Sequence, residues 1–119
     1  YGLAADVGMD LPVSDRVRLS GQLAMVHYGD RDHPEGGSGL LFDLGVGVGD
    51  IQPTVAVDWF RPTGSDALLD DLLGLHVGFA LFLHGHNATL KLDLGLVKDP
   101  GVAFDAARAS ATLQAQLFL

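Results

Sequence analysis

The chain has 119 residues, enough for one domain and too few for two ordinary ones. With 15 Asp and Glu against 7 Lys and Arg it carries a net charge of −8, which argues against a nucleic-acid binder, since that needs clustered basic side chains. It has no cysteine, hence no disulfide framework, thiolate metal site or thiol nucleophile, and no apolar run approaches the roughly 20 residues of a membrane-spanning helix.

Apolar residues recur at every second position, and helical periodicity is nearly absent. The pattern predicts seven strands, each about as long as a tilted membrane strand. The first, Tyr1–Met9, sets Leu3, Ala5, Val7 and Met9 against Gly2, Ala4, Asp6 and Gly8. It already alternates and lacks a basic leader, so it reads as strand and not as a secretory signal. The second, Val17–Tyr28, sets Val17, Leu19, Leu23 and Met25 against Arg18, Ser20, Gln22 and Ala24. In the third, Leu40–Val48, Phe42, Leu44, Val46 and Val48 oppose Asp43, Gly45 and Gly47. The fourth, Ile51–Phe60, opposes Ile51, Val55, Val57 and Trp59 to Gln52, Thr54, Ala56 and Asp58. The fifth, Leu72–Leu83, places Leu73, Leu75, Val77, Phe79 and Leu81 opposite Gly74, His76, Gly78 and Ala80. The sixth, roughly Thr89–Val97, alternates Leu90, Leu92, Leu94 and Leu96 with Lys91, Asp93 and Gly95. The seventh, Ala106–Leu119, sets Ala109, Ala111, Leu113, Ala115 and Leu117 against Arg108, Ser110, Thr112, Gln114 and Gln116.

Every charge inside these runs, namely Asp6, Arg18, Asp43, Asp58, Lys91, Asp93 and Arg108, falls on the face opposite the large apolar residues. The connections alternate as well. Those after the first, third and fifth strands are short or moderate, whereas GDRDHPEGG (29–37), RPTGSDALLDD (61–71) and KDPGVAFD (98–105) are longer and more polar. Short turns at one end and long loops at the other fit an outer-membrane barrel. Tyr28, Trp59 and Phe60 close strands on the long-loop side, where an interfacial aromatic girdle is expected.

Alternation alone fits two solvents. A soluble antiparallel sheet hides its apolar face, and a transmembrane barrel turns that face to lipid. The polar face favours the second, because it is built of Gly, Ala, Ser, Thr and Gln with sparse charge, and the whole chain holds one Glu and two Lys. A soluble surface is more heavily charged. The expected fold is therefore all-β, an antiparallel transmembrane β-barrel.

Other clusters have plainer readings. His84 and His86 flank Gly85 in HGHN, and without a nearby Glu or Cys they read as a polar hairpin turn, not a metal site. Gly45-Val46-Gly47-Val48-Gly49-Asp50 lacks the helix a nucleotide loop needs. Asn87-Ala88-Thr89 matches a glycosylation sequon, which is without consequence in a bacterium. Asp30, Asp32, Glu35, Asp66, Asp70 and Asp71 lack calcium-loop spacing and read as solvated loop charge. No nucleophile–base pair or paired carboxylates stand out, so no catalytic residue, metal or cofactor is expected.

From Leu72 to the end the chain resembles the C-terminal part of the phosphate-selective porin O/P family of bacterial outer membranes. The residues that carry the likeness are Phe82-Leu83-His84-Gly85-His86-Asn87, Leu90-Lys91-Leu92-Asp93-Leu94 and Leu113-Gln114-Ala115-Gln116-Leu117-Phe118-Leu119. The chain differs in ending on Leu119 where such porins end on Phe, and in carrying one arginine, Arg108, in its last strand. The resemblance implies a barrel of many more strands, of which residues 1–119 form the C-terminal portion, assembled as a homotrimer or with other outer-membrane subunits.

The expected function is passive diffusion of small hydrophilic solutes or ions across the outer membrane, with lipid around the barrel and no nucleic-acid partner. Arg18, Asp43, Asp58, His76, Lys91, Asp93 and Arg108 are the expected pore-lining residues. Four strand acids oppose three strand bases, a mixture that gives no support to anion selectivity. A structural barrel anchoring an outer-membrane complex and a soluble lipocalin-like binder are the alternatives.

Overall fold

Alternating residues separated by turn-forming stretches favour pairing of each strand with its sequence neighbour, because a hairpin closes the shortest loop. The computed structural model, which describes residues 2–29, 36–64, 70–83 and 88–117, has that arrangement. The strands are β1 (Gly2–Ser14), β2 (Val17–Tyr28), β3 (Gly37–Val48), β4 (Ile51–Pro62), β5 (Leu72–Leu83), β6 (Ala88–Lys98) and β7 (Arg108–Leu117). They form one antiparallel sheet in chain order. The molecule measures 51 × 32 × 29 Å, and its least dimension well exceeds the roughly 10 Å of a single flat layer, so the sheet twists and coils.

Asp15 and Arg16 alone join β1 to β2, and Gly49 and Asp50 alone join β3 to β4. Gly49 has φ of 60°, the left-handed geometry a two-residue hairpin turn requires. The connections after β2 and β4 are described in part and that after β6 throughout, and all three are long. The last of them contains a 3-10 turn at Phe104–Ala106, so β7 starts two residues later than the alternation predicts. The HGHN turn at 84–87, the loop acids Asp30, Asp32, Glu35 and Asp66, and Phe118 and Leu119 lie outside the described residues.

Strands extend beyond the apolar pattern where glycine, serine or proline interrupts it. β1 continues to Ser14 through Pro12, with a register shift between Pro12 and Ser14. An edge strand tolerates this proline because only one of its sides carries a ladder. β3 begins at Gly37, whose partner across the ladder is Pro62.

Register joins the alternating faces into continuous rows. One row of the apolar face runs Met9, Gly21, Leu44, Val55, Val77, Leu94 and Ala111. The next runs Val7, Leu23, Phe42, Val57, Leu75, Leu96 and Ala109. From Trp59 down to Ile51 this face spans eight residue steps, or about 20–27 Å depending on strand tilt. Nothing covers it. Val77 is 63% exposed, Leu113 70% and Leu117 75%. The one buried apolar residue among those described, Ala80, sits on the opposite, polar face.

The expected barrel is not closed here. β1 and β7 are the two edges of an open sheet, and every residue of β1 is exposed.

Candidate functional site

The polar face carries all seven residues picked out from the alternation. Its rows can be followed strand by strand. Gly8, Gln22, Asp43, Ala56, His76, Gly95 and Ser110 form one row. Asp10, Ser20, Gly45, Thr54, Gly78, Asp93 and Thr112 form the row nearer the short turns. Asp6, Ala24, Leu41, Asp58, Gly74, Val97 and Arg108 form the row nearer the long loops. Arg18 and Lys91 lie one row further toward the turns, opposite Gly47 and Gln114.

Glycines on this face make room for the polar side chains of neighbouring strands. Gln52 on β4 donates to the Ser20 hydroxyl on β2 at 2.7 Å, reaching across β3 above Gly45. A Cβ at Gly45 would lie 2.7 Å from that hydroxyl. Asp58 occupies the space above Gly74 in the same way, and Thr54 the space above Gly78. Tyr28 and Phe60 also meet across β3, their rings stacked at 5.8 Å and 15°. Side chains two strands apart therefore touch, which makes the polar side the crowded one. Between them lies a hollow of about 290 Å³, whose lining includes Asp43, Thr54, Lys91, Asp93, Thr112 and Gln114.

Beside the hollow, and sharing Asp93 with it, is a group spanning three strands. His76 on β5 places Nε2 2.9 Å from Asp58 Oδ1 on β4 and Nδ1 2.9 Å from Asp93 Oδ2 on β6. The ring lies over Gly95, where a Cβ would come within 2.8 Å of it. The two arginines of this face are engaged by other carboxylates. Arg18 pairs with Asp10 at 2.6 Å near the short turns, and Arg108 pairs with Asp99 at 2.7 Å on the long-loop side. Asp6, Asp43, Asp58, His76 and Asp93 are left to set the charge at mid-height, with Lys91 one row nearer the short turns. Alternation could identify the face but not these pairs, because Asp10 and Asp99 lie beyond the predicted strand bounds.

The aromatic girdle needs correcting. Only Trp59 stands on the apolar face, while Tyr28 and Phe60 occupy the polar one. The reading of Asp71 as solvated loop charge also fails, since it is 4% exposed. Its carboxylate accepts from Trp59 Nε1 at 2.8 Å and from Arg61 Nε and Nη2 at 2.8 and 3.0 Å, and Lys98 donates to its backbone carbonyl. The hydrogen bond from Arg61 holds the Asp71 carboxyl below its usual range, aided by Trp59 and by the charges of Arg61 and Lys98, and burial only partly opposes this. Arg61, Asp71 and Lys98 share the parity of the apolar residues. They border that face at the long-loop end, together with His27 and Ser38, which contact each other at 2.9 Å.

The polar face thus offers fixed charges of both signs and hydrogen-bonding groups of both senses, which can exchange contacts with a hydrated ion or small polar solute. No protein-family model matches the chain, and no curated protein or solved structure matches it.

Proposed function

We propose that this sheet is part of the wall of a transmembrane β-barrel in a bacterial outer membrane. The barrel acts as a porin-like channel for passive diffusion of small hydrophilic solutes or ions. The observation that carries the reading is a continuous apolar face that no described residue covers. Leu90, Leu92 and Leu94 are 40–52% exposed on it, while Lys91 and Asp93 stand on the other face and line the hollow there. In water an uncovered apolar face of this size is unfavourable, at about 25 cal/mol for each Å² left wet, and acyl chains remove that penalty. The height of the apolar face agrees with the roughly 25 Å band of outer-membrane barrels. The rim of Trp59, Arg61 and Lys98 resembles the anchors found where a bilayer meets water.

On this reading Arg18, Asp43, Asp58, His76, Lys91, Asp93 and Arg108 face a wet lumen. The likeness of the last third of the chain to phosphate-selective porins O and P agrees with it. Further strands would complete the barrel, since an unpaired strand edge in hydrocarbon leaves backbone groups without partners. The test is conductance of the full-length protein in planar lipid bilayers. Discrete openings are expected. A folded, membrane-inserted barrel that passes no current would count against a channel and favour an anchoring role.

A further inference from the structure

We propose that His76 is the residue through which pH sets the charge preference of this pore, a role that rests on the channel reading above. The carboxylates of Asp58 and Asp93 approach the imidazole from opposite sides, one from each neighbouring strand. A neutral imidazole has one N–H and can donate to only one of them, whereas an imidazolium donates to both. Protonation therefore changes the trio from net −2 to net −1 and satisfies both contacts at once. Loss of the proton removes a donor between two carboxylates and leaves more negative charge facing the hollow.

The groups around His76 leave this change exposed to a passing ion. From β3, Asp43 stands in the same row as His76 and adds negative charge. On β6, Lys91 is two residues from Asp93 and supplies the positive charge near the hollow. On β7, Ser110 contributes a neutral hydroxyl opposite Gly95, and Arg108 is engaged by Asp99. Arg18 on β2 is engaged by Asp10. Neither arginine stands beside the imidazole to mask its titration. Among side chains with ordinary pKa values, histidine alone changes charge between about pH 5 and 8. The geometry therefore makes the wall more cation-preferring as pH rises through that interval. One unit charge about 6 Å from the ion path, in a water-like dielectric, changes local ion concentration by roughly threefold.

Reversal potentials across a KCl gradient test this in planar bilayers holding the full-length protein. The cation-to-anion permeability ratio is expected to rise about ninefold from pH 5 to pH 8, about threefold from cation enrichment and about threefold from anion depletion. His76→Gln is expected to flatten the dependence, and His76→Lys to hold the ratio at its acid value throughout. A pH response that survives in both variants would overturn the role of His76, and so would a wild-type ratio indifferent to pH. Absence of any channel would instead remove the reading on which the role rests.

Discussion

Arg61 and Asp71 meet side-on at the rim of the sheet, Nε to Oδ1 at 2.8 Å and Nη2 to Oδ2 at 3.0 Å. This parallel pairing fixes both planes, and Trp59 adds a third donor to the same carboxylate. The guanidinium also lies 5.6 Å from the centre of the Trp59 rings. Residues from β4 and β6 thus converge on the residue that leads into β5, so Asp71 ties three strands together.

Because its carboxyl is held below the usual range, Asp71 stabilises the fold fully above the unfolded carboxylate value of about 3.9. The contribution is lost as pH falls through the lowered folded value. Trp59 emission is therefore expected to stay constant from neutrality to about pH 5 and to shift only in stronger acid. Asp71→Ala should lower the midpoint of thermal unfolding and change Trp59 emission at neutral pH, and Asp71→Asn, which keeps an acceptor, should do less. Emission spectra and melting curves of the two variants check this, and an Asp71→Asn protein that melts like the unsubstituted one would remove the charge from the account.

The chain has one tryptophan, which makes Trp59 a depth gauge. It stands where the apolar face gives way to Arg61 and Asp71. In vesicles, lipids brominated near the headgroup are expected to quench it more strongly than lipids brominated near the chain ends. Equal quenching, or none, would contradict an interfacial position.

Gly95 lies beneath both His76 and the Ser110 hydroxyl, and a Cβ there would come within 2.6 Å of the latter. Gly95→Ala is expected to destabilise the protein by about 1–3 kcal/mol, the usual cost of overpacking. In a His76→Ala background the loss should shrink, because residues in contact couple. Urea unfolding in detergent or vesicles measures both costs, and a fully additive double variant would disprove the packing relation.

Val77 and Gln114 lie on opposite faces of the sheet. Val77→Arg near the middle of the apolar band should destabilise the inserted protein by about 2–4 kcal/mol, as charge does at the midplane of a barrel. Gln114→Arg should be nearly neutral for folding and should lower the permeability of cations. Folding titrations in vesicles, paired with conductance, distinguish the two. The opposite ranking would mean that Val77 faces water.

The strands were legible because period two reports which side of a pleat a residue occupies. The predicted limits of the second and fifth strands, Val17–Tyr28 and Leu72–Leu83, coincide with those of β2 and β5. β3 was read three residues short, since Gly37, Ser38 and Gly39 offer no apolar contrast. The charged face was legible for the same reason as the strands. Contacts within that face were not, because the meeting of Asp58, His76 and Asp93 depends on register across two hairpins. The rim escaped as well. Arg61, Asp71 and Lys98 break the hydropathy pattern at strand ends, where sequence alone makes them look like loop charges, and only the fold brings them together.

β1 and β7 both set out from the long-loop end and run toward the short turns. A ring made by rotating copies of this sheet about a common axis would lay β7 of one copy alongside β1 of the next, pointing the same way. Every seam would then be parallel, whereas all six ladders within the sheet are antiparallel. Antiparallel sealing of the two edges takes an odd number of intervening strands, so rotation of copies about one axis cannot turn this heptad of strands into a wholly antiparallel cylinder.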